Sequence, residues 1–197
     1  EIKGNSTVSD EIKAYGQDSK VDIDGTEEVT LDGKMTGSGT TQLNLTNGTV
    51  NIGSNAKIQG MDATLTDVSL NLAKEGVLSG LNTTFAGNNN NLNMMNGSTG
   101  TLALGKVNLN GILTMQVDAD LANKSMDKIT ANSVNVNGGA VKVNKINLLS
   151  PTTEQKLKLL FTNNKDLAKA VSYTGEGEIA YSPIYKYKTN YEIDKDN

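Results

Sequence analysis

The chain has 197 residues, only 36% of them hydrophobic and 4% aromatic, with no Trp and a net charge of −4. It contains no Cys, no His and no Arg, which excludes disulfides, thiolate metal sites, an imidazole general base and a bidentate guanidinium clamp. Net acidity also argues against nucleic acid as a partner, because that binding depends on clustered positive charge. The 25 Asn and the exclusive use of Lys have a plain explanation in an AT-rich coding sequence.

The N-terminal residues Glu1-Ile2-Lys3-Gly4-Asn5 carry no apolar export signal, and the pattern that follows starts in mid-course. A fragment of a longer protein is therefore expected. No run approaches the roughly 20 apolar residues of a membrane helix. Modest charge with regular β-branched alternation predicts a thin core of Val, Ile and Leu rather than disorder.

From Val21 to about Leu149 the alternation has period two: Val21/Ile23, Val29/Leu31, Leu43/Leu45, Val50/Ile52, Val68/Leu70/Leu72, Leu102/Leu104, Val107/Leu109 and Val141/Val143. Within it the triplet apolar–Asn–apolar occurs seven times, centred on Asn44, Asn51, Asn71, Asn93, Asn108, Asn135 and Asn147. Each triplet is a minimal strand with two side chains inward and one outward. Between strands stand Asp24-Gly25, Asp32-Gly33, Asn47-Gly48, Asn96-Gly97, Asn110-Gly111 and Asn137-Gly138. Such dipeptides close hairpins or serve as corners of a coil, because Asn, Asp and Gly tolerate the left-handed conformation. The triplets are spaced by 7, 20, 22, 15, 27 and 12 residues. Steps near 20 fit one full turn of a β-helix, and the shorter steps fit two faces within a turn. The pattern predicts about seven rungs of a parallel solenoid, with an antiparallel sandwich or meander as the alternative.

At Ser150-Pro151 the pattern changes. Ser150 reads as a helix cap with Pro151 at the first helical position, and Leu157, Leu160 and Phe161 fall at helical spacing. A second short helix is predicted over Lys165–Ser172, with Leu167, Ala168 and Val171 on one face. Tyr173, Tyr181, Tyr185, Tyr187 and Tyr191 then gather five of the six tyrosines in an alternating, strand-like segment that ends in Asp194-Lys195-Asp196-Asn197. The expected organisation is rungs over 1–150 and, continuous with them, a cap over 151–197. In that cap the Leu157/Leu160/Phe161 helix and the tyrosines cover the open end of the core.

Ile112-Leu113-Thr114-Met115-Gln116-Val117-Asp118-Ala119-Asp120-Leu121, then Asp127-Lys128-Ile129, then Val134 to Val143 resemble the C-terminal passenger region of bacterial autotransporters, the type V secretion family. That region has a strand ending in Asp, a small polar loop, an Asp-Lys-Leu-like triplet and a Gly-bounded strand pair. The segment Ile179 to Lys188 resembles the tyrosine-rich strands that close such passengers. The resemblance covers about residues 112–191. It implies an all-β, right-handed parallel β-helix (a single-stranded solenoid with a C-terminal cap of short helices and strands), displayed at the bacterial cell surface or released outside the cell. It further implies a C-terminal part that nucleates folding, and contact with a membrane only through a barrel absent from this chain.

Two acidic pairs invite a catalytic reading: Asp22/Asp24 and Asp118/Asp120, each at i and i+2 on one side of a strand. Two carboxylates suffice for glycoside hydrolysis. Solvated aspartates at rung ends are the simpler reading, since neither pair has a second acidic rung stacked beside it and Lys offers no buried base. Calcium-binding nonapeptides, P-loops and nucleophile elbows are missing, and Gly175-Glu176-Gly177 lacks a nucleotide-binding context. Asn88–Asn91 reads either as an amide ladder or as a disordered loop. The sequence thus predicts a non-enzymatic adhesive or display passenger with no catalytic, metal or cofactor residues, whose partners are host or cell-surface glycans or proteins. The alternatives are a carbohydrate-active β-helix enzyme and a structural repeat of a surface layer. One Tyr (Tyr15) and one Phe (Phe85) in the upstream rungs leave little for sugar stacking.

Overall fold

The computed structural model of the chain describes residues 1–190 and Glu192. It is a parallel β-solenoid of about six turns rather than seven, with a small helix and two further strands at its C-terminal end. Three faces recur in each upstream turn. The first face stacks Ser6–Val8, Val29–Leu31, Thr49–Ile52, Ser69–Leu72, Asn90–Asn93, Ile112–Asp120, Ala140–Ser150 and Val171–Tyr173. The second stacks Ile12–Ala14, Lys34–Gly37, Lys57–Gln59 and Val77–Ser79, and the third Lys20–Asp24, Gln42–Thr46, Asp62–Thr66 and Asn82–Ala86. Thr101–Leu109 continues both the second and third faces as a single strand, and Lys128–Val136 stacks on it through both.

The alternation seen in the sequence supplies the core. On the first face Val29, Val50, Leu70, Leu92, Met115 and Val143 lie in one register column; on the third, Ile23, Leu45, Leu65, Phe85 and Leu109 form another. All of these are buried. Each fully buried aliphatic side chain contributes roughly 1.5–3 kcal/mol, so a column of thin rungs becomes stable only as a stack. Upstream of Leu102/Leu104 the second face gives no periodic signal because Met35, Ile58 and Leu78 are each the only apolar side chain their short strand turns toward the core. Pairing also begins earlier than Val21: Ser6–Val8 and Ile12–Ala14 already stack on the next turn.

All six Asx-Gly dipeptides are corners between consecutive strands, and none closes a hairpin. Among the described residues antiparallel pairing occurs only where Ser125–Met126 folds back on Ala119–Asp120 and where Glu178–Ala180 meets Lys186–Lys188. At one corner successive backbones nearly touch. A Cβ on Gly111 would lie 1.7 Å from the Gly87 carbonyl oxygen, so only glycine permits the rungs to close there.

The cap departs from expectation. No helix forms over 151–161. The Ser150 hydroxyl donates to Asp120 and accepts from the Ala122 amide, so it is not available to cap a helix. Both backbone groups of Thr152 are taken by the Tyr187 hydroxyl, which accepts at 2.7 Å and donates at 3.0 Å. The Phe161 carbonyl accepts from Ile129 at 3.0 Å, which adds a further bond to the second face. Tertiary bonds here override local propensity. Lys165–Ala170 is helical, as predicted, with the Asn164 side chain accepting from the Asp166 and Leu167 amides. It ends at Val171, where the chain becomes the last first-face strand. Leu167 is the fully buried plug of the end, whereas Phe161 is half-buried and Leu160 is exposed. Of the tyrosines expected to cover the core, Tyr173 packs against it, Tyr181 and Tyr185 are exposed, and Tyr191 lies outside the described residues.

Candidate functional site

The outward chemistry of the solenoid is organised as ladders. On the first face Asn71 donates to Asn51 Oδ1 at 2.8 Å and Asn93 donates to Asn71 Oδ1 at 3.3 Å, while Asn51 donates to Glu28 at 2.7 Å. On the third face Asn44 donates to Asp22 at 2.8 Å, Asn108 to Thr84 at 3.1 Å and Asn135 to Asn108 at 3.2 Å. Asn147 donates to Asp118. All seven triplet asparagines therefore point outward and bond to the preceding turn. The sequence steps are explained in the same way: 20 and 22 residues are full turns on the first face, and 27 is a full turn on the third. Parallel stacking in register places like side chains one above the other, so each amide can donate to the rung before it.

Aspartates perform a related task at the corners. Asp32 accepts from the Asn55 amide and side chain, both at 3.0 Å, and Asp67 accepts from the Asn88 and Asn89 amides at 3.0 Å. The Asn88–Asn91 run is thus neither an extended ladder nor a loose loop. It is a corner leading into the strand Asn90–Asn93, with Asn90 buried. Sequence reasoning read Asp32 only as half of a corner dipeptide and passed over Asp67. The available signal was an Asp standing 23 or 21 residues, one turn, before an Asn-bearing corner.

The acidic pairs have separate fates. Asp22 and Asp24 sit outward on the third face. The Asn44 side chain, then Lys20, hold Asp22 below the usual carboxylate range, and the Thr26 hydroxyl and amide do so for Asp24. Asp120 is lowered by the Ser150 hydroxyl and by Asn123. Asp118 is wholly buried, and its Oδ2 accepts from the Asn96 and Gly97 amides at 2.8 and 2.7 Å. Asp127, which sequence reasoning treated only as part of a motif, is equally buried. Burial pushes its carboxyl up to about 6, against the lowering effect of the Asp118 and Gly100 amides, and the Asp118 charge adds to the rise. Each of these carboxylates is engaged in hydrogen bonds that hold neighbouring turns or corners together.

An open depression of about 540 Å³ lies where the third face ends, between Val134–Asn137 and the helix residues Asp166, Lys169 and Ala170. No predicted site residue falls in it. Among the described residues no group of three or more acidic side chains is placed to hold a metal ion. No protein-family model matches the chain, and searches of curated proteins and of solved structures likewise give no match.

Proposed function

We propose that the chain is a non-enzymatic passenger module of the autotransporter kind, displayed at the bacterial surface or released outside the cell. It acts as an adhesive surface or as a scaffold that holds other domains away from the membrane. The observation that carries this reading is the use of its polar side chains. Asparagines and aspartates that could act on a substrate are engaged in bonding one turn to the next. What the molecule offers to a partner is then its length, about 30 Å over six turns at ~4.8 Å each, and its flat amide- and hydroxyl-lined faces. The strand–loop–Asp-Lys-Ile–strand pattern of residues 112–143 supports the family assignment, and stacked rungs with a C-terminal cap are the architecture such passengers use. Partners on this reading are glycans or proteins of a host or neighbouring cell.

Two measurements test it. Displayed on cells through a membrane barrel fused downstream, the chain should be exported and should retain cells on a glycan or protein surface. Incubated with a polysaccharide panel, it should release neither reducing ends nor unsaturated products. Turnover that disappears in Asp22→Asn or Asp24→Asn, the outward acidic pair, would establish the carbohydrate-active enzyme instead.

A further inference from the structure

Three successive turns meet at two buried side chains. Asp127 accepts from the Gly100 amide through Oδ1 at 2.7 Å and from the Asp118 amide through Oδ2 at 2.7 Å. Asp118 accepts from the Asn96 and Gly97 amides through Oδ2 and from the Asn147 side chain through Oδ1. The Asn96–Gly100 corner belongs to one turn, the two aspartates to the next, and Asn147 to the one after. Backbone bonds reinforce the junction, Asp127 donating to the Asp118 carbonyl at 2.9 Å and Lys128 to the Gly100 carbonyl at 3.0 Å. Gly97 adopts φ +84°, which glycine reaches readily, and its amide is directed at Asp118.

We propose that Asp118 and Asp127 form a proton-operated latch: Asp127 takes up one proton as the turns close over it and releases it when they open, so mild acid tightens this end of the solenoid. Two carboxylates excluded from water beside one another cannot both carry charge at low cost. Asp127 is held by two amide donors, one to each oxygen, and is the member of the pair that takes the proton. Asp118 is the charge that acts on Asp127; Asp120, held by Ser150 and Asn123, follows Asp118 on its strand, the Lys124–Glu154 ion pair involves the 121–126 excursion, and Lys128 is next in the chain.

The sign follows from linkage. Folding raises the carboxyl from its ordinary value of 3.8 to about 6, so the folded state binds the proton more tightly. That stabilisation is complete below 3.8 and is lost as pH rises through 6. The exposed carboxylates act in the opposite sense. Asp22, Asp24, Asp32 and Asp120 are lowered from 3.8 and Glu11 from 4.5, so their contributions persist down to those values.

Urea unfolding of the whole chain should therefore give a folding constant about tenfold larger at about pH 5 than at about pH 7.5. Asp127→Asn should remove most of that difference. Carbon-13 titration of the unmodified chain should show the Asp127 carboxyl changing ionisation near 6, and this measurement decides the matter even if the variant does not fold. A folding constant that is equal or smaller in mild acid, or an Asp127 carboxyl still ionised well below pH 5, would overturn the latch.

Discussion

The turns before Thr101 and those after it solve the same stacking problem differently. Upstream, strands are three to five residues long and the chain bends at each face boundary. Those bends are held by exposed or half-exposed bonds from one turn to the next: Asp24 with Asn47, Asp32 with Asn55, Asp67 with Asn88. Downstream, Thr101–Leu109, Ile112–Asp120, Lys128–Val136 and Ala140–Ser150 run nine to eleven residues each. Ile112–Asp120 pairs with Ala140–Ser150 along its whole length, through two register shifts, and Asp118 and Asp127 at this level are buried. Local rungs can open one at a time, whereas long strands joined by buried polar bonds open together. A buried carboxylate is costly unless all its partners are present, and that requirement couples the turns that supply them.

The largest effect expected from this contrast lies in the core. Leu113 is fully buried within the long first-face strand, and Leu45 is nearly so in an upstream rung. Leu113→Ala should cost about 4–5 kcal/mol and Leu45→Ala about 2–3 kcal/mol, because short rungs collapse more easily onto the cavity. Urea unfolding followed by circular dichroism reads both. Equal losses with equal cooperativity would mean that the two regions form one uniform stack.

The cap provides the next comparison. Leu167→Ala should cost about 2–4 kcal/mol, since Leu167 is the fully buried side chain at this end of the core. Phe161→Ala should cost about 1–2 kcal/mol, below the value of a fully buried ring, because Phe161 is only half-buried. Thermal unfolding of the two variants ranks them directly. If Phe161→Ala proved the more damaging, the 151–161 segment would carry the cap after all.

How much of this was legible in sequence depends on what each residue reports. Paired apolar positions such as Val50/Ile52 announce their strands, and the six Asx-Gly corners divide them, so two of the three faces could be read directly. The second face was silent upstream of Leu102/Leu104 because Met35, Ile58 and Leu78 are single apolar residues with no partner two positions away. The false helix at Pro151 arose from local rules, and it was Tyr187, 35 residues away, that held Thr152 extended. Asp118 and Asp120 looked equivalent as an i, i+2 pair. Only the stacked Asn96–Gly100 corner, which covers one and not the other, makes Asp118 a buried group. Asp127 carried no signal of burial at all, since its two donors are the Gly100 amide of the preceding turn and the Asp118 amide across the 121–126 excursion.

The smallest effects test the ladders themselves. Asn71 donates to Asn51 and accepts from Asn93, yet it stands on a half-exposed face where water can replace either partner. Asn71→Ala should therefore cost about 1 kcal/mol, the net value of an ordinary hydrogen bond, and Asn71→Thr should recover part of it because a hydroxyl can still bond along the column. Asn147 is the more exposed of the two and bonds a different acceptor. Among the described residues it is the only side-chain donor to the buried Asp118, and removing it strips a bond from a carboxyl that the rest of the fold covers. Asn147→Ala should cost about 2–3 kcal/mol, near the upper end for an unsatisfied buried group. The same side-chain deletion thus measures how far the two regions differ in their tolerance of a lost bond. Urea midpoints for Asn71→Ala and Asn147→Ala that coincide would show that burial of the acid pair adds nothing to the downstream turns.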